Sequence, residues 1–283
     1  MPLSEPTLYL TGGRTAMYLP QWGLRDTPFR SAYDARYFFE SSTHEEACAR
    51  LHFLVEQHRR LGLLMGDFGS GKSMLLEAFA RAVRRGGHPA ALIDLVGLQG
   101  TDMLAELAIQ FGLSPDQGAT AASLWRSLAD RIVEYRYQLL DTVILLDDAD
   151  QASHEVLAQI TRLAQLERSA EARLTLVLAG RRERMNRVGR ALLELAELRI
   201  DIEPWEPADT ASYLKHALEQ AGCQTEVFTA SAIERLHQIA QGIPRRVSQL
   251  ADLSLLAGAG QNLPQIDVAV VESVYHELGV IQV

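Results

Sequence analysis

The sequence predicts an α/β fold in which a parallel β-sheet carries helices on both faces and a small all-helical domain follows. Three observations lead to this prediction. Short apolar runs alternate with segments of helical periodicity between residues 43 and 202. A glycine-rich loop joins the first apolar run to the helical segment that comes next. After "EPWEP" at residues 203–207 the strand pattern stops, and helical patterns continue.

The chain divides into three parts on this pattern. We place an N-terminal arm at residues 1–42, the α/β domain at 43–205 and the helical lid domain at 206–283. The arm contains the aromatic stretch "WGLRDTPFRSAYDARYFF" at residues 22–39. We expect this stretch to pack in extended form on a larger body.

Five short apolar runs are the strand candidates, and helical patterns lie between them. The first helix is expected to begin at Thr43, because Thr43 and Glu46 match a capping box. The alternation predicts a parallel sheet, since parallel strands need crossover connections, and ligands of such sheets bind at the carboxyl ends of the strands. The runs are Gly62–Met65, Ala90–Leu95, Val143–Leu146, Leu174–Ala179 and, more weakly, Leu198–Ile202. The helices are expected near Lys72–Arg85, Met103–Phe111, Ala121–Leu139, Ser153–Arg168 and Arg182–Leu195.

Four helical segments make up the expected lid domain. Gly242 suits the end of one helix and Pro244 the first turn of the next, because glycine tolerates left-handed backbone and proline lacks an N–H. Val247, Leu250 and Leu255 recur on one face of that next helix, which predicts a single buried side. The segments are Pro207–Ala221, Thr229–Gln241, Pro244–Ala257 and Asp267–Leu278.

The composition limits the classes of partner and location. The formal net charge of −9 argues against a broad electrostatic grip on DNA. No apolar run approaches the roughly 18 residues of a membrane helix, and a secretory signal is lacking, so membrane insertion is not expected. Cys48 and Cys223 lie far apart without metal-type spacing. We interpret both as reduced thiols of a cytoplasmic protein.

The segment "GDFGSGKS" at residues 66–73 follows an apolar run, opens a helix and matches the phosphate-binding pattern G-x-x-x-x-G-K-[ST]. Its glycines let successive amides turn towards a phosphate, at which the following helix directs its positive end. Lys72 can reach the β- and γ-phosphates of ATP, and the Ser73 hydroxyl can hold Mg²⁺. The alternative, a chance glycine-rich loop, is disfavoured because Lys72 is one of two lysines in the chain. The expected nucleotide-binding residues are Gly66, Asp67, Phe68, Gly69, Ser70, Gly71, Lys72, Ser73 and Met74.

The stretch "VILLDDADQA" at residues 143–152 runs from an apolar strand candidate into acids. Asp147 is expected to lie near the phosphate site and to assist Mg²⁺ through water, and Asp148 is the candidate that polarises the attacking water. Asp148 is one methylene shorter than the glutamate common in nucleotide-hydrolysing enzymes, which raises the alternative of slow turnover. A strand that simply ends in acidic surface residues is the interpretation without a catalytic role.

Five segments together resemble a known family. They are "WGLRDTPF", "STHEEACARL", the glycine-rich loop, "LLDDADQA" and "GIPRRVSQLADLSLLA". They are similar to the ExeA-type (general secretion pathway A) ATPases, which are AAA+ proteins related to the transposition-helper ATPases of the TniB and phage Mu type. The similarity runs from about Trp22 over nearly the whole chain, and the arm and the Gly-x-Pro-Arg segment narrow it to this branch.

The resemblance implies roles for four further residues. His44 would lie near the adenine, and Arg245 in "GIPR" would act as sensor 2, an arginine of the lid that reaches the γ-phosphate. Arg199 would be an arginine finger donated to a neighbouring subunit, which requires a ring or an open spiral. Arg181 would take the sensor 1 position at the end of the fourth strand. An exposed arginine at a helix start and a surface arginine beside a strand are the alternatives for Arg245 and Arg199.

The chain departs from the family at two places. Relatives read Asp-Glu-Ala-Gln or Asp-Glu-Ala-His where this chain has Asp-Asp-Ala-Asp at residues 147–150, and they carry a small polar or amide residue where Arg181 stands. Arg181 also opens "RRERMNRVGR", which contains five arginines among nearby acids without an interleaved aromatic residue. We interpret this stretch as an intersubunit or solvated face rather than a nucleic-acid groove.

These features predict an oligomeric ATPase, with ATP and Mg²⁺ as ligands, that remodels or loads an unidentified protein partner. Two alternatives stay open. One is an ATP-gated binding switch with slow hydrolysis, which Asp148 motivates. The other is a DNA-dependent ATPase that helps a transposase, which the transposition relatives motivate.

Overall fold

A computed structural model of the protein describes residues 18–29, 38–166 and 171–281. The described residues group into two compact units. One unit comprises the described residues between 38 and 204, and the other combines residues 18–29 with 205–281. No helix within these described ranges is long and apolar enough to cross a membrane.

The first unit is built on a five-stranded parallel sheet in the order β2-β3-β4-β1-β5. The register sets the carboxyl ends of neighbouring strands side by side, since Asp94 pairs with Asp147 and Met65 pairs with Gly180. The predicted α/β fold is therefore confirmed. The strands are β1 Leu61–Gly66, β2 Ala90–Asp94, β3 Thr142–Asp147, β4 Leu174–Gly180 and β5 Leu198–Ile202.

Helices cover both faces of this sheet because the strand side chains alternate between two apolar cores. Ile144 and Leu146 of β3 join a core that also contains Met103 and Ile160, whereas Val143 and Leu145 join a core with Phe79. Both cores are fully buried around β3 and β4. The helices are α1 Ser42–Glu56, α2 Lys72–Arg85, α3 Gly100–Gln110, α4 Ala121–Tyr137, α5 His154–Ala164 and α6 Arg190–Leu195.

Two predicted helices differ from those observed. The pattern at Arg182–Leu195 forms a 3-10 segment over Arg182–Val188 and a separate α6. Gly189 lies between them with a φ of 91°, a left-handed value that breaks helical continuity. The helix expected over Ser153–Arg168 begins at His154 and ends at Ala164, and the last two residues of that prediction lie outside the described ranges.

The predicted capping box at Thr43 is wrong. α1 begins one residue earlier, with Ser41 at the N-cap position, and the Ser41 side chain does not cap the helix. The Ser41 hydroxyl instead lies 2.7 Å from Nδ1 of His44. Thr43 is used elsewhere, because its hydroxyl accepts a hydrogen bond of 3.1 Å from the Glu203 N–H.

The second unit contains four helices and the described part of the N-terminal arm. One face of the third helix supplies its core, with Val247 and Leu255 fully buried. Residues 18–29 pack on this helix: the Trp22 indole donates to the Leu255 carbonyl at 3.0 Å, and the Tyr18 hydroxyl donates to Asp252 at 2.7 Å. The helices are α7 Pro207–Gln220, α8 Ala230–Ala240, α9 Pro244–Gly260 and α10 Val268–Ile281.

Candidate functional site

The glycine-rich loop lies between β1 and α2 and is shaped by its glycines. Gly69 and Gly71 have φ values of 84° and 95°, in the left-handed region that favours glycine. A Cβ at Gly71 would lie 2.6 Å from Nε2 of His44, and a Cβ at Gly66 would lie 2.6 Å from the Ser70 hydroxyl oxygen. The Ser70 hydroxyl is buried and makes no hydrogen bond within the described ranges, so it can donate to a phosphate oxygen.

His44 supports this loop from α1. Its Nε2 lies 2.9 Å from the Ser70 carbonyl oxygen, and its Nδ1 lies 2.7 Å from the Ser41 hydroxyl. Because a carbonyl only accepts, Nε2 carries the proton, and the Nδ1 of a neutral imidazole then accepts from Ser41. His44 is 1% exposed. It therefore holds the backbone of the loop, and the contact to adenine that the resemblance implies stays a prediction.

Lys72 lies at the start of α2 with its ammonium group turned into the loop. Its Nζ donates to the carbonyl oxygens of Gly66 at 3.0 Å and of Asp67 at 2.9 Å. Burial lowers the pKa of Lys72, and the nearby carboxylates of Asp147 and Asp148 oppose that shift. The ammonium group is thus held beside the loop, where a phosphate would offer it better acceptors than neutral carbonyls.

Ser73 and Asp147 meet at the same place. Asp147 ends β3, and its carboxylate accepts hydrogen bonds from the Ser73 side chain and, at 2.9 Å, from the Asp148 N–H. A hydroxyl and a carboxylate are oxygen donors that suit Mg²⁺, which keeps several waters and phosphate oxygens in its shell. This pair therefore fits the predicted metal site, to which the two residues would supply protein ligands or hydrogen bonds to metal-bound water.

Burial raises the pKa of Asp147, so ionising this carboxyl costs the folded protein stability. The folded state binds the proton more tightly than the unfolded chain, so the free energy of unfolding falls as pH rises from about 4 through the raised pKa. We expect Asp147→Asn to raise the Tm of the nucleotide-free protein at pH 7, by about 2–4 °C for each kcal/mol relieved.

Thermal denaturation followed by circular dichroism tests this expectation. The difference in Tm between Asp147→Asn and the parent protein should shrink as the pH is lowered towards about 4, where the parent carboxyl is protonated. A lower Tm for the variant at pH 7 would show that the carboxylate stabilises the fold.

Asp148 follows with a left-handed backbone, at a φ of 51°, and is half-buried. Asp and Asn adopt this conformation more readily than residues with longer side chains. The Asp148 carbonyl then accepts from the Gln151 N–H at 2.8 Å, which closes a short 3-10 turn over Ala149–Gln151. The shorter acid thus suits the turn that this chain makes after β3.

Asp150 is the residue at this edge whose role sequence reasoning missed. Its buried carboxylate accepts a hydrogen bond of 3.1 Å from the backbone N–H of Arg181, directly after β4. The unusual Asp at the fourth position of "DDAD" was the available signal. Recognising its partner required knowing that β4 lies beside β3.

Two further predicted arginines lie on β5 and in the helical unit. Arg199 stands on β5 at the edge of the sheet, and its guanidinium pairs with both oxygens of Asp201 at 2.8 and 3.1 Å. Arg245 lies in the first turn of α9 in the helical unit and is exposed. Their roles as arginine finger and sensor 2 stay predictions.

Arginines that follow β4 form ion pairs with acidic side chains. The Arg182 guanidinium contacts Glu203 at 2.6 Å and Asp201 at 3.2 Å, and Arg190 pairs with Glu194 one helical turn later. Charge neutralisation of this kind weakens the attraction of a surface for polyanions. It agrees with the interpretation of this stretch as a solvated or intersubunit face.

Comparison with known proteins supports this account of the fold and the loop. The family model described as an AAA domain matches residues 55–188. General secretion pathway protein A from Aeromonas hydrophila is 28% identical over 245 residues, which are 85% of this chain. The chain spans 45% of the length of that relative.

Solved structures share the architecture at low sequence identity. The ORC1 protein of Aeropyrum pernix in complex with DNA is 17% identical, with a TM-score of 0.61 over 94% of this chain and 69% of that one. Cdc6p from Pyrobaculum aerophilum is 18% identical, with a TM-score of 0.65 over 89% and 70% of the two chains. The RuvB Holliday junction branch migration motor of Thermotoga maritima is 15% identical, with a TM-score of 0.58 over 83% and 69%. These likenesses show the fold.

Proposed function

Because this chain belongs to the AAA+ proteins of the ExeA type, we propose that it binds Mg-ATP at residues 66–73 and hydrolyses it to ADP and phosphate. The observation that carries the proposal is the position of the Lys72 ammonium group. It is buried against the loop carbonyls of Gly66 and Asp67, beside the hydrogen-bonded pair of Ser73 and Asp147. A buried cation on a glycine-rich loop and oxygen donors for a metal together suit a nucleoside triphosphate.

The mechanism follows from these groups. Lys72 exchanges the two loop carbonyls for the β- and γ-phosphate oxygens, and the Ser70 hydroxyl and the loop amides donate to the same phosphates. Ser73 and Asp147 would hold Mg²⁺ or the water in its shell, and a bound Mg²⁺ would supply charge neutralisation at the phosphates. The Asp148 carboxylate orients the water that attacks the γ-phosphate. For Arg245 we propose the sensor 2 role that the family resemblance implies.

Asp148→Asn tests the role of the carboxylate. Asparagine keeps the size and the tolerance of the left-handed backbone but cannot accept the proton of the attacking water. We expect steady-state phosphate release to fall by at least about 100-fold. The Kd for ADP should remain within about threefold of the parent value, because the loop itself is unchanged. Undiminished phosphate release would remove Asp148 from the mechanism.

A second candidate function is an ATP-gated binding switch with slow hydrolysis. It is favoured by one feature, the side chain of Asp148, which is one methylene shorter than glutamate. A displacement of about 1 Å can cost roughly 100-fold in rate. In the variant Asp148→Glu, a large rise in phosphate release would support the switch, and an unchanged or lower rate would count against it.

The proposal includes assembly into an oligomer in which Arg199 acts on the nucleotide of a neighbouring subunit. Support comes from the exposure of Arg199 on an edge strand, with 58% of its side chain accessible. A contribution from a neighbour makes the rate per subunit rise with protein concentration. A rate per subunit that is constant over concentration and unaffected by Arg199→Ala would contradict it.

The oligomer would remodel or load a protein partner in the cytoplasm, where the two free cysteines, Cys48 and Cys223, would stay reduced. The DNA-dependent alternative is raised by the fold of the ORC1 protein in complex with DNA. The net charge of −9 and the paired arginines after β4 weigh against it. Measuring ATP turnover at low salt with and without duplex DNA separates the two, since only the alternative expects stimulation.

A further inference from the structure

We propose that Asp150 is a positioning residue, which holds the guanidinium group of Arg181 across the glycine-rich loop so that Arg181 binds the terminal phosphate of ATP. This inference rests on the nucleotide site proposed above and deepens it. It assigns a role to the third acid of "DDAD" and explains how an arginine at the end of β4 can bind phosphate.

The first observation is the burial of Asp150 against the end of β4. Its side chain is fully buried, and Oδ1 accepts the Arg181 N–H at 3.1 Å. A Cβ added to Gly180 would lie 2.8 Å from that same oxygen, so the carboxylate packs directly on the strand backbone. Asp150 therefore fixes the point from which the Arg181 side chain departs.

The second observation concerns the direction of that side chain. The Asp150 Oδ2 lies 3.5 Å from Arg181 Nε, and the Arg181 guanidinium carbon lies 5.8 Å from the centre of the Phe68 ring. Phe68 belongs to the glycine-rich loop and is 63% exposed. The guanidinium of Arg181 thus spans the distance from a buried anchor to the loop.

Sheet register explains why this geometry reaches the phosphates. Gly180 of β4 pairs with Met65 of β1, and the chain continues from Met65 into Gly66 and the loop. The strand end that carries Arg181 therefore lies directly beside the strand that starts the loop. The carboxylate of Asp150 also acts electrostatically on the Lys72 ammonium group, so the two side chains lie in the same part of the site.

The contact between Asp150 and Arg181 leaves hydrogen-bond donors of the guanidinium available to a ligand. Neither Asp150 Oδ2 nor Arg181 Nε has a hydrogen-bond partner in the described part of the chain, although they form an ion pair. A guanidinium has five N–H donors, so contact with Asp150 through Nε allows the two terminal nitrogens to grip phosphate oxygens. Leaving buried polar atoms incompletely bonded costs stability, which is tolerated at sites that bind or rearrange.

The test compares nucleotide affinities rather than turnover. Isothermal titration with Mg²⁺ gives the Kd for ADP and for a slowly hydrolysed ATP analogue in the full chain. Arg181→Gln is expected to weaken binding of the ATP analogue about tenfold, as for loss of a charged hydrogen bond, with a smaller effect on ADP. Asp150→Asn should shift the ratio of the two Kd values in the same direction.

A double-mutant cycle shows whether Asp150 acts through Arg181. If it does, Asp150→Asn adds little to the ratio of Kd values once Arg181→Gln is present. Arg184→Gln is the matched control, because Arg184 lies in the 3-10 segment that directly follows Arg181 and contacts only Glu183 at 4.0 Å among the ion pairs described. Additive effects, or variants that change Tm while preserving the ratio of Kd values, would overturn the proposal.

Further variants keep the inference testable if Asp150→Asn does not fold, and they distinguish its failure from failure of the proposed function. If Asp150→Asn does not fold, Arg181→Lys leaves the anchor intact, and it should still lose the preference for the ATP analogue because an ammonium group lacks the guanidinium fork. Retention of the full preference in Arg181→Lys and Arg181→Gln overturns the inference alone. A parent protein that binds neither nucleotide overturns both this inference and the proposed function.

Discussion

Replacing Lys72 with alanine should abolish steady-state phosphate release, with a fall of at least about 100-fold. The ammonium group is the buried cation among the acids of the site, where Asp67, Asp147, Asp148 and Asp150 all act on it. Its loss removes the charge that would bind the β- and γ-phosphates, and it leaves the acids to repel the incoming nucleotide. Phosphate release measured at saturating Mg-ATP checks the result.

The chain supplies its own matched control, since Lys215 is the other lysine. Its side chain is 77% exposed and approaches Glu219 only at 3.9 Å, so Lys215→Ala should leave turnover unchanged. Turnover that survives in Lys72→Ala while ADP binding also persists would refute ATP hydrolysis at residues 66–73.

Replacing Gly242 with alanine should lower the free energy of unfolding by about 2–3 kcal/mol. Gly242 follows α8 with a φ of 66°, and its carbonyl accepts a hydrogen bond of 2.8 Å from the Trp205 N–H. A Cβ at this position would lie 2.3 Å from the Trp205 carbonyl oxygen, which is backbone and cannot turn away. The substitution therefore strains the left-handed backbone at position 242 and pushes it away from Trp205.

Thermal denaturation of the full chain measures this effect, and Gly260→Ala is the control. Gly260 is the last residue of α9, and a Cβ there would meet nothing within 4 Å. It should leave the Tm unchanged or raise it slightly, because alanine favours a helix. Equal Tm values for the two variants would mean that the contact with Trp205 contributes little to stability.

The parts of the fold that local sequence determines were predictable. The five strands lie where the apolar runs lie, because strands buried on both faces need continuous apolar sequence. The glycine-rich loop also follows from neighbours in sequence. The split at Gly189 was missed because a periodic apolar pattern does not report the φ of one glycine. The start of α1 was missed because Ser41 serves His44 instead of capping the helix.

The functional site likewise has one part that could be predicted from the sequence and one part that could not. Ser73 and Asp147 could be brought together from the rule that ligands meet the carboxyl ends of parallel strands, and the structure has them hydrogen-bonded. Asp150 and Arg181 are 31 residues apart and meet only because β4 lies between β3 and β1. Strand order is a property of the whole sheet, so periodicity and spacing along the chain do not contain it.

The packing of Trp22 on α9 has a consequence for the order of folding during synthesis. The indole of Trp22 donates to a carbonyl that lies 233 residues further along the chain, so the ribosome must make the whole sheet unit before that partner exists. Since domains generally fold as units while the chain emerges, the sheet unit can close on itself first. Residues 18–29 must then wait for α9, so the helical unit can be completed only after the sheet unit has been made.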